Sequence, residues 1–274
     1  MFRPSPDVSH TIVTITPAEA TKLLEGNTRN RPIRQDHVNK LARAMQEHRW
    51  RLNGSTVVVS KSGKILDGQH RLWACMLADE PFETILIRGV DDEAFTTLGD
   101  QLARTGSDLF AYYGVKNSRQ VAPAMMLLYY HLQPTGLGSF NKNSTFSPSQ
   151  DELYALFCDG HQRMEDIAGE CVVFRDLLSP SVAAFFQYVF GGIDPEKATT
   201  FFEQLLYGTG PNPTLPVYHL RRRLEADRAR KAKLPRIEKM ALMVKAWNLH
   251  LAGAPCKSLR WGFDEEFPQV RKEV

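Results

Sequence analysis

The run Ile65-Leu66-Asp67-Gly68-Gln69-His70-Arg71-Leu72-Trp73-Ala74 sets a glycine turn and four polar side chains between a short apolar stretch and a second apolar one. These residue types at this spacing suit a phosphate. A glycine lets the backbone approach a ligand closely, and a helix opening just after it presents N–H groups to an anion. A guanidinium three residues further on can clamp two phosphate oxygens. On this reading the Gly68 and Gln69 backbone cradles phosphate and Arg71 grips it, with Asp67 as a Mg²⁺ ligand or ribose partner. Asp67 or His70 would then be the catalytic base that orients water. The same string also describes an ordinary Asp-Gly turn with a helix start, and the residues alone leave both readings open.

Two further polar clusters belong with this one. Asn30, Arg31 and Arg34 bracket Pro32 in a segment with no regular period, and would close over the same phosphates or stand as solvated charge. Asp100, Arg104 and Thr105 would complete the site or contact a base, or form a structural ion pair. Phosphoryl chemistry in such a setting rests on positioning and charge neutralisation rather than on a covalent nucleophile. The sequence has no Walker lysine motif and no zinc-deaminase pattern. Its four cysteines, Cys75, Cys158, Cys171 and Cys256, form no CxxC pair, which argues against structural zinc and a disulfide framework.

Net charge is only +3, but it is unevenly spread. The segment 219–245 holds ten lysines or arginines against three acids, a local +7 that leaves the rest of the chain at −4. Arg221, Arg222, Arg223, Arg228, Arg230, Lys231 and Lys233 are its candidate DNA contacts, because a basic stripe is the usual footprint of a nucleic-acid surface. A solvated helix face is the competing reading.

Elements must position these groups. Residues 11–15 read as a strand, and Thr16-Pro17-Ala18-Glu19 reads as a helix start with a capping box. Asp36 is expected to cap a helix with Val38, Leu41, Ala42 and Met45 on one face. Strands follow over 56–60 and 84–88, with a hairpin turn at 61–64 between the first of these and Ile65-Leu66. Beyond residue 91 the strand signals stop. Helices are expected near 91–99, 118–131, 214–231 and 236–252, with further starts at Ser147-Pro148, Ser179-Pro180 and Asp194-Pro195. Residues 134–147, rich in Gly, Asn, Ser and Thr, read as a linker, and the Phe185–Phe190 aromatic stripe reads as core. The expected fold class is α+β, with a small α/β domain over 1–115 and an all-helical domain over 116–274. The absence of a ~20-residue apolar run, and of a signal-like pattern over 1–10, makes a cytoplasmic protein with no membrane partner the expectation.

The order Asn30-Arg31-Pro32-Ile33-Arg34, the helix from Asp36, the strand and hairpin, and finally Asp67-Gly68-Gln69-His70-Arg71-Leu72-Trp73-Ala74 resembles the ParB/sulfiredoxin superfamily, specifically phage-type ParB-like nuclease-domain proteins. Gly68, Arg71 and Ala74 fall on the G-x-x-R-x-x-A box whose backbone and arginine hold a nucleoside triphosphate in ParB proteins. The Asp-Gly-Gln-His-Arg string is also similar to that of ATP-hydrolysing regulators of DNA phosphorothioation and, more loosely, to a box of some modification-dependent restriction proteins. The likeness covers about residues 10–115. Gln69 stands where sulfiredoxins carry the catalytic cysteine, which removes sulfinic-acid reduction from the expectations. No recognition helix of the centromere-reading kind follows Gly114-Val115-Lys116-Asn117.

The resemblance implies an NTP cofactor (ATP or CTP) with Mg²⁺, and nucleotide and DNA as partners. A phage or prophage protein in a bacterial host cell, with a homodimer as the expected assembly, completes that picture. Three function classes follow: a nucleotide-gated DNA-binding protein, with or without NTP hydrolysis, acting in partition, modification or regulation; a metal-dependent nuclease or phosphotransferase acting on DNA; and a non-catalytic scaffold for protein contacts. Against the nuclease, Asp67 is the one good metal ligand near the box, whereas two-metal cleavage needs more carboxylates.

Overall fold

The computed structural model describes residues 7–27, 30, 32–96, 105–141, 147–208, 212–229 and 233–272. It is an α+β chain that divides into two compact units, one ending at Ala103 and the other beginning at Arg104, with 145–147 grouped with the first.

In the N-terminal unit a mixed four-stranded sheet has the order β1-β4-β2-β3, formed by β1 (Ser9–Ile15), β2 (Thr56–Ser60), β3 (Ile65–Asp67) and β4 (Phe82–Val90). β4 runs antiparallel to β1, pairing Ile15 with Phe82, and parallel to β2, pairing Val57 with Leu86. The β-branched run Thr56-Val57-Val58-Val59 gives β2 its extended backbone. Three helices, α1 (Pro17–Glu25), α2 (Gln35–Gln46) and α3 (Gln69–Ala78), complete the unit. Their apolar faces bury Ala20, Val38, Ala42, Met45, Leu72 and Cys75 in one core with Ile15, Val57, Val59, Ile65 and Phe82 of the sheet. Thr16 and Glu19 form the capping box expected of α1. The start of α2 differs from expectation: Arg34 is its N-cap and Asp36 lies inside the first turn, where a carboxylate favours the positive end of the helix dipole.

After Gly26 the chain passes very close to the β2–β3 turn. A Cβ on Gly26 would lie 2.2 Å from the Gly63 carbonyl oxygen, so only glycine lets α1 end there. The turn itself is fixed by Asp92, which accepts from Ser62 and from Lys64 (2.6 Å). Lys64 leads the hydrogen bonds, with Ser60 and Ser62, that hold the Asp92 carboxyl well below the usual carboxylate range.

The described part of the second unit contains helices and no strands. Its elements are α4 (Gly106–Tyr112), α5 (Ser118–Leu132), α6 (Gln150–Cys158), α7 (Met164–Glu170), α8 (Pro180–Ile193), α9 (Pro195–Tyr207), α10 (Pro216–Ala229) and α11 (Arg236–Leu251). Phe110 of α4 is fully buried in this unit's core, so the chain changes unit before that helix rather than after residue 115. The aromatic stripe of α8 is core as expected: Phe185, Phe186 and Phe190 are fully buried, and Phe190 stacks on Trp247 at 4.2 Å. α6 begins two residues later than Ser147-Pro148 suggests, because Ser149 forms the capping box with Glu152. In place of the helix expected near 91–99 there is a 3-10 segment, Asp92–Thr96, and another (Gly136–Asn141) occupies part of the expected linker. All four cysteines are free. No described helix is long and apolar enough to cross a membrane.

Candidate phosphate site

The Gly68 turn forms because β3 ends against β2 with no room for a side chain. Gly68 adopts φ +99°, and a Cβ there would sit 2.9 Å from Val57 Cγ2 and 3.1 Å from the Val57 Cα. Both the left-handed backbone and the contact with β2 therefore demand glycine. The Gly68 carbonyl accepts from the Arg71 and Leu72 N–H groups, which starts α3 at once. Unlike α1, α4 and α6, each closed by a Thr or Ser capping box, α3 has no side-chain cap at its N-terminus.

The polar side chains of the turn are engaged with the fold in ways their types do not disclose. Arg71 reaches back to Asp67 at 3.0 Å, and only 15% of its side chain is exposed. Asp67 is thereby a partner of the arginine. Among the described residues no group of three His, Cys, Asp or Glu side chains is placed to hold a metal; a Mg²⁺ held by one carboxylate together with phosphates and waters needs no such group.

His70 is buried, and its Nε2 accepts the Arg34 N–H at 3.1 Å. In the neutral ring this puts the proton on Nδ1. That hydrogen bond makes His70 an anchor for the start of α2. The His37 ring packs edge-on against it at 5.3 Å.

Gln69 is also buried, and its Oε1 accepts from Asn27 Nδ2 at 3.2 Å. Asn30 Nδ2 donates to Asn27 Oδ1 and to the Ile65 carbonyl, both at 3.0 Å. The segment between α1 and α2 is thus tied to the β3–α3 turn at both ends, through Asn27 and Asn30 at one and Arg34 at the other. Asn27 and His37 were missed by sequence reasoning. An asparagine directly after a helix-ending glycine was the available signal for the first, and nothing marked the second. The Arg34 guanidinium is exposed and makes no ion pair among the described residues. Arg31, Asp100 and Arg104 lie outside the described residues. Thr105 is the N-cap of α4, accepting from the Asp108 N–H and donating to the Asp108 carboxylate.

The basic stretch proves to be largely internal bracing. Arg221 pairs with Glu225 at 2.8 Å and donates to the Leu205 carbonyl at the end of α9. Arg223 meets Glu238, and Arg228 meets Asp176. Lys233 donates to the Asp227 and Arg228 carbonyls at the C-terminus of α10. Lys239 pairs with the buried Asp227 at 2.6 Å. Burial presses the Asp227 carboxyl upward, yet Lys239, the Leu234 N–H and Lys233 together hold it below its ordinary value. Arg222 is the exception: it is exposed, lying over the Tyr218 ring with no acid beside it. Arg230 and Lys231 lie outside the described residues. The expected DNA surface is therefore reduced, within what is described, to a few cations between ion pairs.

No protein-family model, curated protein or solved structure matches this chain.

Proposed function

We propose that the N-terminal unit binds the phosphates of a nucleoside triphosphate at the Gly68 turn, in the manner implied by the resemblance to ParB-like proteins. The observation that carries this reading is the turn itself. A left-handed glycine pressed on Val57 opens a ten-residue helix that has no side-chain cap. Such a helix end favours an anion through its N–H groups and its dipole. Arg71, one turn in, and the unpaired Arg34 beside the turn supply positive charge. Asp67 fixes the direction of Arg71, as an orienting carboxylate does for a clamp.

The proposal is for binding, with the segment between α1 and α2 as the element whose position the ligand would bias. Asp67 and His70 are each engaged by a neighbour, so hydrolysis is not part of it, and without a carboxylate cluster the nuclease reading has no support among the described residues. DNA binding through 219–245 is likewise left out, because most of those cations brace the helices.

Calorimetric titration of the full chain with inorganic triphosphate, in the presence of Mg²⁺, tests the reading. Saturable binding that is lost in Arg71→Ala and weakened in Arg34→Ala is the expected result. No binding by a protein that unfolds cooperatively on heating would overturn it.

A further inference from the structure

A groove of about 520 Å³ lies between α2 and α3, lined by Ile33, Gln35, Val38, Trp73, Met76 and Leu77. Three of these are unusually exposed for their type: Trp73 at 40%, Leu77 at 53% and Ile33 at 37%. We propose that this groove receives the heteroaromatic ring of a nucleoside phosphate, stacked on Trp73, while its phosphates occupy the Gly68 turn. The inference rests on the reading of that turn as a phosphate site.

One wall of the groove, Trp73, Met76 and Leu77, belongs to the helix that the Gly68 turn opens. His70, Trp73 and Leu77 stand at i, i+3 and i+7 on α3 and so share one stripe of that helix. Trp73 lies four residues beyond Gln69, about 6 Å along the axis at the α-helical rise, a span that a sugar bridges between a base and its phosphates. The opposite wall is fixed from the same end. Ile33 directly precedes Arg34, whose N–H is bonded to His70, so one anchor sets both the mouth of the groove and the edge of the turn.

The composition fits a ring that carries an anion at one end. Among the described residues no charged side chain lines the groove, while Arg34 directly follows its Ile33 in the chain. A mostly apolar lining with one placed polar group is characteristic of small-ligand pockets, and the volume falls in their usual range. Gln35 is that polar group. Its amide NH₂ donates to Asn39 Oδ1 at 2.9 Å, leaving its carbonyl oxygen as an acceptor for a base amino group.

The test compares inorganic triphosphate with ATP, CTP, GTP and UTP, each with Mg²⁺, on the full chain by calorimetry. At least one nucleotide is expected to bind about tenfold or more tightly than inorganic triphosphate, the margin that stacking on one aromatic side chain supplies. Trp73→Ala should erase that margin and leave triphosphate affinity unchanged, Trp73→Phe should keep most of it, and Arg71→Ala should weaken both ligands. Equal affinity for triphosphate and every nucleotide, or a margin that survives Trp73→Ala, overturns the proposal and leaves the groove as a surface for a protein partner. If triphosphate itself fails to bind, the reading of the turn falls and this one with it. If triphosphate binds through Arg71 without any margin, this one falls alone. Because Trp73 is partly exposed, the variants should fold, and their thermal unfolding checks that they do.

Discussion

Arg34 and the arginines of α10 carry the same charge in different company. Arg34 is anchored only by its backbone N–H, on His70, and its guanidinium is left to solvent. Arg221 and Arg223 each meet a glutamate, and Lys239 meets a buried aspartate. The difference is one of supply. Around α10 the fold brings acids and helix-end carbonyls from α9, α11 and the Cys171–Asp176 segment to nearly every described cation. Beside the Gly68 turn Asp67 is taken by Arg71, and among the described residues the Arg34 guanidinium has no ion-pair partner. A cluster of cations is thus a binding surface only where the fold leaves its charge unanswered.

The sharpest way to break this contrast is to remove an internal partner in the helical unit. Asp227→Asn strips Lys239 of its counter-charge at a position where Asp227 is 2% exposed, and should cost about 3 kcal/mol or more in a denaturant titration. A cost close to zero would mean that the cations of this stretch are surface charge after all. In the N-terminal unit the corresponding rigid point is backbone. Gly68→Ala forces a side chain into φ +99° and onto Val57, and should lower stability by about 1–3 kcal/mol on thermal unfolding.

The two units should also part company in acid. Burial holds His131 and His250 below the ordinary 6.5. As pH falls below that value the unfolded chain takes up protons that these rings resist, so the helical unit loses stability as pH falls below about 6.5. Asp92, in the N-terminal unit, is depressed mainly by Lys64, so its contribution is complete above the ordinary 3.8 and is lost only as pH falls further. Hydrogen exchange followed across that range should show α5 and α11 loosening while the β2–β3 hairpin stays protected. Equal behaviour of the two would contradict the assignment. The smallest structural effect is expected at Arg34. Arg34→Ala should move stability by no more than about 0.5 kcal/mol, since no described residue pairs with its guanidinium. It should still weaken triphosphate binding, whereas Arg222→Ala, an exposed cation of the other unit, should not.

Much of the framework was legible because short-range chemistry wrote it. The β-branched run of β2, the capping box of α1, and the Ser179-Pro180 and Asp194-Pro195 starts of α8 and α9 all follow from groups within a few residues of one another. The Gly68 turn belongs with them, because a glycine between a strand and a helix announces itself. What could not be read is whichever partner comes from far along the chain. Gln69 and His70 look like ligand groups beside the box, but Asn27 and Arg34, some forty residues earlier, turn them into anchors. Thr105 is a local exception: expected at the site, it caps α4 together with Asp108 three residues on.

The sequence by itself determined most of the helices and strands and where a glycine is indispensable, since propensity, capping and apolar period act over a few residues. The tertiary structure alone decided which charges remain available. Pairing Arg71 with Asp67 is local to one helical turn, but answering the cations of α10 takes Glu238, Asp176 and the end of α9, which only the folded chain brings within 4 Å. Coulomb attraction and hydrogen bonding at that range depend on distance and burial, and neither is a property of residue order.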